Sequence, residues 1–337
     1  VKHDFNKAVS ISIASNDFIK LAALTAASRG NESKMKSLAR GIPSQRLQEA
    51  VHATKAAVAP GTSTDATWGG PLVSLATAFA DSLRPFSVFD RMLNDMVRMP
   101  LNTRVVLASS GAQAGPILEF GVKPISALAF GTAVLEPVKI VSDLILSEEL
   151  AKLMNSAATA LIGLELRKAV ALSSDQYFID VLLTAPGVQS VSSSGSSAAN
   201  LIADLQAALG EINIAQSSRL YLILPVDVWK AHSIERDVSR AFEAGAVMGN
   251  NIVPVPTTVL TDTMILADAQ SIAGVSETIE LRSSDQASVQ MSDTPSSGEQ
   301  TAVSLWQSNL VAVRAERRLA AALLRSDAAV LIEGVTA

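Results

Sequence analysis

One stretch, residues 134–183, narrows the folds open to this chain more than any other: VLEPVKIVSDLILSEELAKLMNSAATALIGLELRKAVALSSDQYFIDVLL. Val134–Leu146 reads as an extended run that meets a helix opening at Ser147. The Ser147 hydroxyl can accept an orphan backbone N–H as N-cap. Glu148 and Glu149 follow in the first turn, where carboxylates complement the helix dipole. Leu150, Leu153, Met154, Ala157, Ala158, Leu161, Ile162, Leu166, Ala169 and Val170 then recur at three- and four-residue spacing. Lys152, Asn155, Ser156, Thr159, Arg167 and Lys168 fill the other side, so the pattern predicts one long amphipathic helix. About 25 residues at 1.5 Å each would span roughly 37 Å, close to the width of a domain. Such a helix acts as a strut.

The rest of the chain has to supply what packs on that strut. At 337 residues there is material for two compact domains with real cores. Hydrophobic residues make up 48%, which predicts a globular chain, but aromatics only 4%, so the core is built from small aliphatic side chains. The absence of cysteine excludes disulfides and thiolate chemistry. No apolar run reaches the 18–20 residues that cross a bilayer, and no basic-then-apolar signal peptide opens the chain. It begins at Val1 rather than Met, which fits either a shortened product or trimming of the N-terminus.

Charge is unevenly placed. Residues 1–55 carry nine Lys or Arg (Lys2, Lys7, Lys20, Arg29, Lys34, Lys36, Arg40, Arg46, Lys55) against four acids (Asp4, Asp17, Glu32, Glu49), while the remainder carries 18 basic and 28 acidic residues. A basic arm on an acidic body can dock on a neighbouring copy or meet nucleic acid; equally, it can be a solvated helical segment. It lacks the interleaved aromatics of a single-strand stacking platform.

In chain order, residues 1–59 read as short helices broken at Gly30-Asn31 and Gly41-Ile42-Pro43, with Ser15-Asn16-Asp17 offering caps. Ala59–Gly70 is a turn-rich linker. Helices are expected over Leu72–Ser82, stopped at Arg84-Pro85, and from Ser87 to about Arg98, ended by Pro100. Arg104–Phe130 lacks helical periodicity and reads as a long hairpin, with RVVLA as its first strand. A free hairpin is marginal in water, so something outside it must cover it, and long loops of this kind are usually functional. TAPGVQSVSSSGSSAAN, residues 184–200, reads as a linker at a domain boundary. An α/β portion follows: a helix over Ala198–Leu209 closed by Gly210, a buried strand over Arg219–Pro225, helices in VDVWKAHS and RDVSRAFEAGAV, and strands in IVPVPTTVL and MILADA. Strands return at Thr278–Ser283, Ala287–Met291, Leu310–Ala315 and Ala328–Ile332, with Arg314 and Glu316 marking an exposed face.

Catalytic chemistry is poorly supplied. His3, His52 and His232 each stand without a ligand-spaced neighbour, and His232 reads as a surface residue. There is no GxSxG elbow, phosphate loop or GxGxxG turn. Asp262 and Asp268 could be imagined as an acid/base pair, but both sit at turns between strands and read as turn formers. No catalytic, cofactor-binding or metal-binding residue is assigned, and no cofactor is expected.

The sequence L-x-P-x-K-I-x-x-x-x-x-L-S-E-E-L, a long helix, then Asp175 before Tyr177 and Phe178, resembles the major capsid proteins of tailed bacteriophages. The resemblance extends to Trp68–Met92 and Leu305–Val335 and covers about residues 55–337. It implies an α+β chain with the Hong Kong 97-type shell fold. Its parts would be an N-terminal arm at 1–100 (1–58 scaffolding-like), an extended loop at 101–133, a peripheral domain at 134–190 and 277–337 with the spine helix, and an axial domain at 191–276. It further implies pentamers and hexamers in a closed icosahedral shell, packaged double-stranded DNA, and a portal, decoration proteins and a maturation protease as partners. The place implied is the virion, assembled in the host cytoplasm, with no membrane partner and no enzymatic activity. Arg104, Glu119 and Lys123, by position in the loop, are the candidate inter-subunit contacts. Some members of that family join a loop lysine to a neighbour's asparagine, for which Lys123 and Asn309 are the positions to consider. Two competing readings remain open from sequence: an encapsulin-like compartment with protein cargo, and an α/β enzyme of unknown chemistry.

Overall fold

The computed structural model describes residues 14, 16–21, 24, 28, 32–53, 77–108, 130–148, 156–214, 217–232, 252–292 and 302–336. The helices named below are α1 (Glu32–Ala39), α2 (Gln45–Ala53), α3 (Val88–Met92), α4 (Ser156–Thr184), α5 (Ala198–Glu211) and α6 (Val226–His232). The strands are β1 (Val97–Arg98), β2 (Arg104–Ala108), β3 (Phe130–Val134), β4 (Val138–Ser147), β5 (Gln189–Ser192), β6 (Leu220–Pro225) and β7 (Val253–Thr257). After them come β8 (Thr263–Asp268), β9 (Ile272–Ser276), β10 (Glu280–Ser284), β11 (Ser288–Gln290), β12 (Ala302–Ser304), β13 (Leu310–Leu323) and β14 (Ala329–Glu333). The chain divides into two compact units. The first comprises Val1–Phe86, Lys139–Ala171 and Glu277–Arg318, and the second Ser87–Val138, Leu172–Ser276 and Leu319–Ala337.

In the first unit, helical pieces pack on a sheet. α1 and α2 are separated by the turn at Arg40–Ile42, as the Gly41-Ile42-Pro43 break predicts. Ser44 opens α2, accepting the Leu47 N–H on its hydroxyl oxygen while donating to the Asp17 carboxylate at 2.6 Å. Met35, Ala39, Leu47, Ala50 and Val51 bury one stripe of this pair. They join Phe18, Ile19, Phe79, Leu83, Leu166, Val170, Ile279 and Ala315 in one apolar cluster. Gly163 of α4 lets Ile19 approach the helix backbone closely: a Cβ there would overlap the Ile19 Cδ1 atom. In the sheet, β10 pairs antiparallel with β13 from Glu280↔Glu316 to Ser284↔Ala312, and β4 also pairs with β13. Val311, Val313 and Ala315 are buried and Arg314 is exposed, as alternation predicts. Glu316, expected on the exposed face, is instead buried, its carboxylate 2.6 Å from the Lys139 ammonium. Its position in the alternation is as read; there it pairs with the Lys139 ammonium.

The second unit holds a five-stranded sheet in the order β5-β14-β8-β6-β7. β6 and β7 run parallel, as do β5 and β14, while β8 is antiparallel to both β6 and β14. Every residue of β6, LYLILP, is buried, the continuous apolar run of a strand covered on both faces. α5 lays Leu201, Leu205 and Ala208 into the cluster with Leu222, Leu224, Leu266, Val330 and Ile332. Ser197 caps α5 by accepting the Asn200 N–H, and the helix runs through Gly210 to Glu211, so Gly210 does not close it. β9 pairs with β13 from Ser276↔Leu319 to Ile272↔Leu323, and with β1 in parallel.

Several local expectations change. The helix expected from Ser87 to about Arg98 stops at Met92, and Val97-Arg98 is a strand paired with Ala273-Gly274. A long-range partner takes residues whose local pattern favours helix. Residues 184–200 are not a bare linker, for they hold β5 and the cap of α5. Ser147 ends β4, Glu148 is helical, and 149–155 lie outside the described residues; α4 continues to Thr184, beyond the predicted stripe. His232 is buried rather than on the surface. It lies four residues after buried Val228, hence on the same helix face. The helix expected over RDVSRAFEAGAV lies outside the described residues.

Candidate assembly surfaces

Three features stand out. The first is the base of the hairpin. β2 and β3 pair antiparallel from Arg104↔Val134 to Ala108↔Phe130, and among the described residues they pair with each other and with no further strand. The base is closed by Leu135, whose carbonyl accepts from Asn102 at 2.9 Å and whose N–H reaches the Thr103 carbonyl at 3.1 Å. Asn102 takes a left-handed φ of 58° to make that turn. Leu135 is buried with Ala273 and Ala320, and Met99, Leu101 and Val275 pack around them. The root of the hairpin is therefore fixed in the core of the second unit. Arg104 is exposed at that root; Glu119 and Lys123 lie outside the described residues, so the structure brings none of the three together.

The second is a groove of about 660 Å³ in the first unit. The sheet face opposite Val311, Val313 and Ala315 carries Asp143 and Ile145 from β4, Ala312 and Arg314 from β13, and Arg282 from β10, with Val289 and Met291 closing one side. Arg314 grips the Asp143 carboxylate in a forked pair at 2.7 and 2.8 Å, and Arg282 holds Glu280 at 2.9 Å. These pairs are exposed and screened by solvent, so they add little to stability. Their effect is to hold two flat guanidinium groups at a largely aliphatic groove. Sequence reading passed over this site because its residues come from four separate strands.

The third is Asp175, buried on α4. Its carboxylate accepts the Ser87 hydroxyl at 2.7 Å, the Val88 N–H at 2.9 Å and the Phe89 N–H at 3.1 Å. Burial pushes its pKa up to about 6 against the pull of those donors, with nearby Asp90 adding to the rise. A carboxyl poised near neutrality is a signature of acid/base sites. Here the oxygens are taken up by three donors and the residue is 4% exposed, so its work is to tie α3 to α4. Phe89 and Phe178 pack edge-on beside it at 5.5 Å between ring centres. Asp268, read as a turn former, does that work: its carboxylate accepts from Ser218, Arg219, Gln270 and Ser271. Asp262 is exposed in a bend and accepts from Thr263. Asn309 adopts a left-handed φ of 52° just ahead of β13. Among the described residues no group of three His, Asp or Glu is placed to hold a metal ion, and no helix is long and apolar enough to cross a membrane.

No family model matches the chain. It is 28% identical over 316 residues to the "Capsid polyprotein" of Pseudomonas phage PAJU2, a match that takes in 84% of this chain and 47% of that protein. The chain thus spans about half the length of the curated relative it matches. Among solved structures, a protein of Mycobacterium phage Bobi superposes with a TM-score of 0.50 at 12% identity, covering 73% of this chain and 90% of that one. A protein of Gordonia phage Cozz gives 0.49 at 16% identity over 84% of this chain and 99% of that one. The α+β fold of the Hong Kong 97 shell type expected from the sequence is borne out, and so is the resemblance to phage capsid proteins.

Proposed function

We propose that this chain is a major capsid protein, assembling with copies of itself as pentamers and hexamers into the icosahedral shell that encloses the double-stranded DNA of a tailed phage. The observation that carries the reading is the 28% identity to a phage capsid polyprotein over 84% of the chain. The hairpin supports it, because a two-stranded ribbon rooted in a core and, among the described residues, paired with no further strand calls for a neighbour to stabilise it. In this reading residues 1–100 form the arm, 101–133 the extended loop, 134–190 and 277–337 the peripheral domain, and 191–276 the axial domain. Arg104, Glu119 and Lys123 meet neighbouring copies. The chain catalyses nothing, resides in the virion, and works with a portal, decoration proteins and a maturation protease. Contacts of this head-to-tail kind bury on the order of 800 Å² per partner and close through rotational symmetry.

Electron microscopy of the purified protein, with sedimentation velocity, tests the proposal. Closed shells of uniform diameter are the expected result; a monomer at every concentration would overturn it. Nuclease-protected DNA in particles recovered from infected cells separates a genome shell from a protein-cargo compartment.

A further inference from the structure

We infer that Trp306 of one copy seats in the Asp143–Arg314 groove of a second copy, so that the first unit carries both the knob and the hole of one head-to-tail contact. The inference rests on the shell reading and adds to it a named anchor and its receptor.

The knob is unusual for this chain. Only three tryptophans occur in 337 residues, and Trp306 is 65% exposed, the most exposed of the large apolar side chains described. It is also held rigidly. Its neighbour Leu305 is fully buried and donates to the Ala287 carbonyl at 3.0 Å, while Leu310 N–H returns to the Leu305 carbonyl at 2.9 Å. Ser308 N–H bonds the Ser304 carbonyl at 3.2 Å, and the Asn309 carbonyl accepts from Glu148 at 2.9 Å, pinning the turn to the end of β4. A tight turn fixed at both ends leaves little backbone ordering to lose on binding. That is the property of an interface anchor, a role in which tryptophan is enriched.

The hole matches in chemistry. Its volume of about 660 Å³ lies in the range of pockets that enclose small ligands, so an indole fits with room for its flanking backbone. Ile145, Val289, Met291 and Ala312 offer aliphatic contact, and Met291, 55% exposed, stands at the rim. Arg282 and Arg314, each already oriented by a carboxylate, supply the flat cations that stack on an indole face. Asp143 or Ser284 can accept the indole N–H. Among the described residues the groove lies on the sheet face opposite Ala315, which belongs to the helical cluster. The turn that carries the knob adjoins the hole in its own chain, since Leu305 N–H bonds the carbonyl of groove-lining Ala287. A knob that enters a second copy's hole while its own hole receives a third copy makes a heterologous contact, the kind that builds rings.

The chain has no cysteine, which makes the test direct. A full-length Gln307→Cys chain, which keeps Trp306 and places the thiol on the exposed neighbour, is mixed with a full-length Ser284→Cys chain, assembled, and treated with a short bis-maleimide. A mixed covalent dimer in assembled particles, with none from Leu38→Cys, also exposed in the first unit, plus Ser284→Cys, is expected. In parallel, Trp306→Ala and the groove-filling Ala312→Trp should each raise the concentration needed for assembly by about tenfold or more, with far-ultraviolet circular dichroism of the unassembled subunit unchanged. Normal assembly of both variants without the mixed dimer would overturn the inference and leave the shell reading intact. Failure of the wild-type chain to assemble under any condition would overturn both.

Discussion

The Asp175 carboxylate accepts the Ser87 hydroxyl at 2.7 Å across 88 positions of sequence. One oxygen of the same group also takes the Phe89 N–H and the other the Val88 N–H. Ser87 meanwhile accepts the Asp90 N–H as N-cap of α3. A short helix of five residues is too short to be stable by itself. It holds because both oxygens of the sequence-distant Asp175 and the Ser87 hydroxyl satisfy its opening amides.

Asp175→Ala should therefore lower stability by about 3 kcal/mol, since two buried N–H groups lose their acceptor. Ser87→Ala should cost about 1 kcal/mol, the scale of one lost cap. Urea unfolding at pH 7 measures both. Equal, negligible changes in the two midpoints would show that the tie contributes little.

The same carboxyl sets a pH dependence. Unfolded, it titrates near 3.8; folded, near about 6. A group that holds its proton more tightly in the folded state stabilises fully below the lower value and forfeits that stabilisation as pH rises to the upper. The contribution of Asp175 to unfolding free energy should then fall by about 2 kcal/mol between pH 4 and pH 6 and level off above about pH 7. The difference between wild type and Asp175→Asn, followed by urea unfolding across that range, isolates it. Parallel curves would refute the assignment.

Gly163→Ala tests the seat of the N-terminal helical cluster. In an open helix the change stabilises by about 1 kcal/mol. Here the new Cβ overlaps Ile19 Cδ1 and sits 3.1 Å from Cγ1, and a β-branched side chain has few rotamers in which to retreat. Gly163→Ala should thus destabilise in wild type yet stabilise in an Ile19→Ala background. A double-mutant cycle by thermal unfolding reads the change of sign.

Deleting residues 104–130 should leave a subunit that folds but does not form shells. The hairpin pairs within itself and its root, Leu135, stays in the core. Circular dichroism checks folding and electron microscopy checks assembly; normal shells from the deletion would refute the role given to the hairpin.

Much of the framework was legible because local pattern and final environment agree. The long helix, the all-apolar β6 and the break at Gly41-Ile42-Pro43 each follow from residues within a turn or two. What escaped depends on distant partners. Val97-Arg98 is a strand only because Ala273-Gly274 lies beside it, and β5 is a strand only because β14 does. Glu316 looked exposed by alternation, yet it is buried and paired with Lys139, 177 positions away. His232 was within reach: it follows the apolar Val228 by four residues, the spacing that shares one helix face. The groove was not, because Asp143 and Arg314 are 171 residues apart.

The sheet of the second unit supplies the last prediction. β7, VPVPT, is an edge strand among the described residues, pairing with β6 through Leu222↔Pro254 and Leu224↔Pro256. Proline has no N–H, so the donors toward β6 must come from Val253, Val255 and Thr257, and the two prolines face the open edge. That edge thereby offers carbonyls without the matching donors, which discourages a stray strand from adding to it. Replacing both prolines with valine restores the donors and raises strand propensity without touching the core-facing residues. The Pro254→Val, Pro256→Val chain should stay folded by circular dichroism yet aggregate faster than wild type in light scattering at equal concentration. Aggregation at the wild-type rate would mean that something other than the prolines protects this edge.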